Sequence, residues 1–369
     1  MRPALLLLAV AAMLVSLPVG ADDAKPTDGY VPMFNGKDLS GWVNVNCAPG
    51  TFFVKDSKII TTGKPTGFLR TEKQYENFEL EMDWMHINTK EVGNSGLFVW
   101  GDPLPAVGTG YTRGIEVQVL VNLEYRDKKT NAITATSHGD LFSIWGARCV
   151  PDRPHPTGAQ RCLPSENRAK GGGEWNHYKV IANDGVIKLH VNGKEVSGVS
   201  KCNPRKGYLA LESEDAECHF KNLKIKELPS TNPKPEEIAK VAEGHTSLFN
   251  GLDLAGWETE DGAWKVKDGR LVATGKADLT TKKQYMEETD LIFDWKTPAD
   301  GATEVTGSFH PPLGFRASLP KGAKPGSWNR VIVKGSKTPM PGQFFGPVSF
   351  RPTPGLEIMN VFVNWKKEK

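Results

Sequence analysis

The chain has 369 residues, enough for two ordinary domains. It is 38% hydrophobic and 24% charged, the profile of a globular rather than a disordered protein. Its 46 basic and 43 acidic residues leave a net charge of +3, and no basic stripe interleaved with aromatics occurs, so composition gives nucleic-acid binding no support.

The N-terminal MRPALLLLAVAAMLVSLPVGADDAKP holds one basic residue, Arg2, an apolar core from about Ala4 to Val15, and small residues at Val19-Gly20-Ala21. This pattern predicts a signal peptide over residues 1–21, and with it export to the periplasm or the cell exterior. The apolar run is shorter than the roughly 20 residues of a spanning helix, and no membrane span is expected. In an exported chain, some of the five cysteines are expected to pair, with Cys149–Cys162 as first choice because they flank one Pro- and Arg-rich loop. An odd count leaves at least one thiol free, and the spacings match no zinc pattern.

FNGKDLSGW at 34–42 returns as FNGLDLAGW at 249–257. In the same order, FFVKDSKIITTGK at 52–64 returns as WKVKDGRLVATGK, KQYENFELEMDW as KQYMEETDLIFDW, EWNHYKV as SWNRVIV, and HFKNLKI as EIMNVFV. The chain therefore reads as two copies of one domain, 29–228 and 246–369, joined by a Pro-rich linker at 229–245 in which EEIAKVAE could form a short helix. The copies are unequal: 91 residues separate Trp84 from Trp175, but only 33 separate Trp295 from Trp328. The shorter copy is expected to lack the counterpart of GIEVQVL and the Cys149–Cys162 loop.

Short runs of alternating apolar and polar residues dominate, as in FELEMDWM, SGLFVWG, GIEVQVLV, HYKVIA and VIKLHVNG. Asn183-Asp184-Gly185 and Asn192-Gly193 are hairpin turn signals, and long amphipathic helices are absent. This pattern predicts an all-β antiparallel sandwich. Trp42 and Trp257 stand in both copies, as do Trp84 with Trp295 and Trp175 with Trp328, and core packing is their expected role. Asn94-Ser95-Gly96 reads as a sharp turn or bulge.

FNGKDLSGW, GNSGLFVWG, GIEVQVL, HGDLFSI, GEWNHYKV and the closing LESEDAECHFKNLKIKEL together resemble the 3-keto-disaccharide hydrolase domain family. The resemblance covers roughly 30–228 in full and 246–369 in shortened form. It implies a concanavalin A-like jelly-roll sandwich, and a glycoside substrate oxidised at C3. Where the family has Gln in its last LQSEG motif, this chain has Glu212.

Glu116 and Gln118, two residues apart on one predicted strand, share a face, while Ile115, Val117 and Val119 turn to the other, expected to be the core. The first face is either a solvated surface or the floor of a sugar groove, and groove glycosidases of this general fold offer the analogy. His138 and Asp140 in HGD add a proton-transfer group and a partner for it. Glu116 and His138 are the candidate catalytic bases. Gln118, Asp140, Arg148, Glu166 and Glu214 are candidates to bind substrate, with Gln118 and Arg148 placed to hold a ketone or its enolate. No cofactor is expected, although a divalent ion could hold the enolate instead; no metal cluster is proposed. A ketone at C3 acidifies the C2 proton and makes the C1 oxygen a β leaving group. Elimination or net hydrolysis by one base would then follow, without the paired carboxylates of an ordinary glycosidase. The rival expectation is a non-catalytic, lectin-like carbohydrate-binding protein.

Overall fold

A computed structural model of the chain describes residues 28–364, apart from 123, 127–128, 130, 132, 137–138, 157–159, 243, 287, 310–313 and 337–344. The expected signal peptide at 1–21 lies outside the described residues. Regular structure among them is almost wholly antiparallel strand; the one helical turn is the 3-10 segment Pro235–Glu237. No helix among them is long and apolar enough to cross a membrane.

The first copy is a concanavalin A-like sandwich of two sheets. A seven-stranded sheet runs in the order Arg161–Cys162, Leu141–Ile144, Gly114–Val121, Gly93–Gly101, Tyr208–Ser213, Gly67–Thr71, Trp42–Val45. A nine-stranded sheet covers one of its faces, centred on Phe78–His86 between Asn176–Asn183 and Cys218–Glu227. Alternation in the sequence decides which side chains meet between them. Ile115, Val117 and Val119 from one sheet and Leu80, Met82, Trp84 and Tyr178 from the other are fully buried in one cluster. The predicted hairpins form at both turn signals, with Asp184 and Gly185, then Asn192 and Gly193, all at positive φ as a type I′ turn requires.

The repeated FNG-x-DL-x-GW motif has a local cause. Asn35 Oδ1 accepts the amides of Lys37 and Asp38, and Asp38 Oδ1 accepts Ser40 N; Asn250 and Asp253 repeat this pattern. The turn delivers Trp42 and Trp257 into their cores, where each indole N–H donates 2.9 Å to a carbonyl nine residues back, that of Met33 or Leu248. Trp84 and Trp295 are likewise buried, but Trp175 and Trp328 depart from the expectation. Both are only partly covered, and lysine ammonium groups sit over their rings, Lys221 at 3.9 Å and Lys296 at 5.2 Å.

The second copy keeps a six-stranded and a five-stranded sheet. Contrary to expectation, it retains a strand in the place of GIEVQVL: Gly314–Ser318 pairs with Glu304–Phe309 as Gly114–Val121 pairs with Gly93–Gly101. The core row Leu69–Leu211–Leu97–Val117 of the first copy corresponds to Leu279–Phe350–Gly307–Phe315 of the second. By that register Gly314 stands where the first copy has Glu116, Arg316 where it has Gln118, and Arg351 where it has Glu212.

The two copies are packed together. Ile292 and Phe362, on the outer face of the second copy's six-stranded sheet, join Val45, Phe68, Phe98 and Ala210 on the outer face of the seven-stranded sheet in one apolar cluster. Beside it the buried Asp294 receives Arg330 Nε at 2.6 Å and Nη2 at 2.9 Å, and the amide of Asn360 at 2.7 Å. This group grips the 102–113 loop of the first copy. Asp294 accepts Gly108 N at 2.9 Å, Asn360 donates to Thr109 O at 2.9 Å, and Arg330 donates to Pro105 O at 2.8 Å. Gly108, at φ 74°, is required here, because a Cβ would lie 2.2 Å from Trp328 Cγ.

The segment expected as a linker is tied down rather than loose. Gln74 donates to the carbonyls of Ala239 and Lys240, Asn77 to that of Pro229, and Arg205 to Glu237, while Ala239 is buried. The expected Cys149–Cys162 bridge is not formed: all five cysteines are buried thiols. Burial pushes the Cys149 thiol above its usual range, which favours the uncharged, unreactive form.

Asp294→Ala would leave Arg330, Asn360 and Gly108 N without their shared acceptor, and should cost about 3 kcal/mol of stability. Urea unfolding of the variant should show an earlier transition, and an unchanged midpoint would mean that the contact does not hold the copies together.

Candidate active site on the seven-stranded sheet

The outer face of the seven-stranded sheet is chemically divided. Where the second copy covers it, the face is apolar. Next to that patch it carries four carboxyl groups. Cross-strand register brings them together, for Glu116 lies opposite Phe98 and Phe142, Gln118 opposite Gly96, and Glu212 opposite Phe68. Gly96 is the residue that lets two of them converge. A Cβ there would sit 2.8 Å from Glu212 Oε2 and 3.1 Å from Glu116 Oε1. Asn94-Ser95-Gly96 is thus regular strand, not the expected turn; the glycine supplies space rather than a positive φ.

Glu214 follows the Tyr208–Ser213 strand and is anchored at both oxygens. Tyr111 Oη donates to Oε1 at 2.7 Å, and Asn94 Nδ2 donates to Oε2 at 2.6 Å. Gln118 Nε2 braces Asn94 by donating to its Oδ1 at 2.7 Å and to Ser95 O at 3.1 Å. Gln118 therefore acts through Asn94 on Glu214. At the far side Asp140, fully buried, accepts Arg161 Nε at 2.8 Å and a second guanidinium N–H on the same oxygen, Oδ2. Its Oδ1 has no hydrogen-bond partner. The Arg161 guanidinium lies over the Phe142 ring at 4.4 Å.

Burial and mutual repulsion set the protonation of the cluster. Burial, then the Glu214 charge, push Glu116 up to about 8, with Arg161 opposing the rise. Burial, Glu116 and Glu214 hold Glu212 well above the ordinary carboxylate range. Glu212 is fully buried, neither of its oxygens receives an N–H or O–H donor, and a hydrogen bond to Glu214 favours its protonated form. Burial also raises Glu214, but the donors Tyr111 and Glu212 hold it back. Asp140 is pushed up to about 6 by burial against the pull of Arg161. At neutral pH the cluster holds at least one proton on Glu212, with its anionic charge drawn toward Glu214. Tyr111 rises above its usual range through burial and the neighbouring carboxyls, and stays a hydroxyl donor.

Of the residues singled out in the sequence, Glu116, Gln118, Asp140 and Glu214 meet on this face. His138 lies outside the described residues. Arg148 and Glu166 do not join the group. The chain leaves the seven-stranded sheet after Ile144, and Arg148 begins an edge strand of the nine-stranded sheet, where it is exposed. Ser165 N bonds Val196 O of that same sheet, and Glu166 pairs with Lys194 at 2.8 Å and Arg168 at 3.5 Å. The hydrogen bond from Lys194 holds Glu166 below its ordinary range. Four further residues belong to the site: Asn94, Tyr111, Arg161 and Glu212. Glu212 could be read from LESED, since it lies two residues before Glu214 and alternation puts it on the same face; Arg161, on the edge strand, and Tyr111, on the 102–113 loop, are remote in sequence from the carboxyls they bond and carry no local signal. No group of three or more His, Cys, Asp or Glu among the described residues is placed to hold a metal ion.

A family profile for the 3-keto-alpha-glucoside-1,2-lyase-like domain matches residues 29–226 and 244–309. No curated protein matches the chain. Among solved structures, two described as a "putative glycosyl hydrolase" from Parabacteroides distasonis are similar at 24% and 20% identity. They cover 55% and 54% of this chain and 95% and 99% of their own, with TM-scores of 0.41 and 0.39. A carbohydrate-binding module from Bacillus subtilis is similar at 14% identity, covering 51% of this chain and 96% of its own, with a TM-score of 0.37. On the extent of the profile match, this chain belongs to the family of 3-keto-alpha-glucoside-1,2-lyase-like domains.

Proposed function

We propose that the protein is an exported enzyme that cleaves the glycosidic bond of 3-keto glucosides by β-elimination, with or without rehydration. Family membership supports a glycan-related function. The single observation that carries the catalytic reading is the convergence of Glu116 and Glu212 on Gly96, with Glu214 hydrogen-bonded to Glu212, all three carboxyls raised and an arginine nearby. A sugar-binding surface has no need of carboxyls held near neutral pH; a proton-transfer site does.

Glu116, ionised, removes the C2 proton of the substrate. The electron pair moves into a C2=C3 enolate, whose oxygen the Arg161 guanidinium stabilises. As the ketone re-forms, C1=C2 forms and the C1–O bond breaks, its electron pair leaving with the aglycone oxygen. Glu214, the anionic member of the cluster, relays to that oxygen the proton held on Glu212, which is left as the carboxylate. Where water then adds, its oxygen joins C1 as its proton passes back through Glu214 to the Glu212 carboxylate, and Glu116 returns its proton to C2, giving net hydrolysis. Tyr111, Asn94 and Gln118 fix the donor carboxyl.

Glu116→Gln should lower kcat on a 3-keto disaccharide about a hundredfold or more. His138→Ala is the control for the other candidate base, and a larger loss there would transfer the role to it.

Because Glu116 acts as the anion, kcat/KM should rise with pH along a limb near pH 8. The Glu214 charge raises Glu116, so Glu214→Gln should move that limb to lower pH, whatever it does to the rate. A limb that stays in place would disconnect the two groups.

Incubation with the 3-keto disaccharide and its unoxidised parent, with and without a chelator, tests the reaction class. Cleavage of the oxidised sugar alone is expected; cleavage of neither would favour the lectin-like reading.

A further inference from the structure

A cleft of about 690 Å³ lies between the two copies, in the size range of small-molecule pockets. Its walls come from the 102–113 loop, the Trp145 turn, the joining segment and the outer face of the second copy. Its apolar side chains are conspicuously open to solvent, with Trp145 52% exposed, Ile332 49%, Val107 43% and Val241 70%. Scattered apolar residues on a surface are ordinary; four that line one cleft mark a place for a ligand.

Trp145 is also held in an unfavourable backbone conformation, at φ 52°, where a bulky residue rarely sits. Its indole is stacked on Tyr111, with ring centroids 6.2 Å apart and planes within 10°. Tyr111 Oη is the donor to Glu214 at 2.7 Å. The aromatic wall of the cleft therefore begins one ring away from the carboxyl assigned to protonate the leaving group. Lys240 also lines the cleft.

We propose that this interdomain cleft is the aglycone subsite, and that it selects glycosides whose leaving group is a planar aromatic alcohol. The assignment rests on the reaction proposed above for the neighbouring carboxyls. An aromatic ring stacks on Trp145 and packs against Ile332, with its phenolic oxygen turned toward Glu214. An oligosaccharide leaving group can lay the C–H face of one ring on Trp145, but the hydroxyls around its edge would leave Ile332, Val107 and Val241 facing polar groups.

The test compares kcat/KM for 4-nitrophenyl and methyl 3-keto-glucosides on the full chain. Wild type should prefer the aryl substrate. Trp145→Ala should reduce the aryl-to-methyl ratio about tenfold, Ile332→Ser should reduce it in the same direction, and Trp145→Phe should restore most of it. A ratio unchanged in Trp145→Ala and Ile332→Ser would overturn the subsite. If neither glucoside is cleaved, the reaction fails but the subsite is still read, by calorimetric titration of unoxidised 4-nitrophenyl glucoside. Saturable binding weakened about tenfold by Trp145→Ala supports it, and no binding overturns it. Sedimentation completes the experiment: a wild-type dimer made monomeric by Ile332→Ser would assign the cleft to self-association and overturn the proposal.

Discussion

The docking of one sandwich on the carboxyl-bearing face of the other is the constraint from which the candidate site's electrostatics follow. The outer face of a sheet is normally solvated, and carboxyls there ionise near their ordinary values. Here Ile292 and Phe362 seal Phe68, Phe98 and Ala210 from water, and Glu116 and Glu212 stand directly beside the sealed residues in register. Low dielectric on that side raises both groups before any neighbouring charge acts, and burial is the leading cause for each. The buried Asp294, with Arg330 and Asn360, holds the seam together and grips the loop that delivers Tyr111 to Glu214. One interface thus contributes both the dielectric and the geometry.

The second copy has the sequence such a role demands. Its equivalents of Glu116, Gln118 and Glu212 are Gly314, Arg316 and Arg351, so among the described residues the carboxyls of Glu116 and Glu212 have no counterpart there. Arg316 instead pairs with Glu304 on the exposed surface. Its other sheet turns apolar side chains outward at Ile292 and Phe362, a pattern that would be costly on a free sandwich and is satisfied only by a partner. Two copies of one fold have diverged into a face that bears the carboxyl cluster and a face that covers it.

Much of this was legible in the sequence, and the failures have a common cause. Alternation placed Ile115, Val117 and Val119 inside and Glu116 with Gln118 outside, because the period of a strand is local. The repeat was legible because both copies need the same Asn–Asp turn to set a tryptophan in place. Arg148 was misplaced because proximity along the chain to HGD implied proximity in space, whereas the chain changes sheets between Ile144 and Arg148. Tyr111 and Arg161 were missed for the converse reason: each is remote in sequence from the carboxyl it bonds. Gly96 looked like a turn glycine; only the cross-strand neighbours reveal that it vacates space for two carboxyls. Gln118 was assigned to the correct face, but its amide is spent on Asn94, a partner that no spacing rule names.

The same cluster sets how the protein's stability responds to pH. Glu116, Glu212 and Asp140 are all raised in the folded protein, so folding favours their protonated forms. Their contribution to stability is complete below the ordinary carboxylate values. It declines as the pH climbs, for Asp140 until about 6 and for Glu116 until about 8. The proposed catalysis runs the other way, since Glu116 becomes a base only as it loses its proton. The pH at which the proposed reaction is fastest is then a pH at which this corner of the sheet is weakest. Arg161 lessens the conflict by favouring the anions of Asp140 and Glu116, and the clasp on the 102–113 loop resists the opening that mutual repulsion would drive. If the proposed reaction holds, the second copy's grip on the 102–113 loop matters most at the pH where Glu116 is ionised.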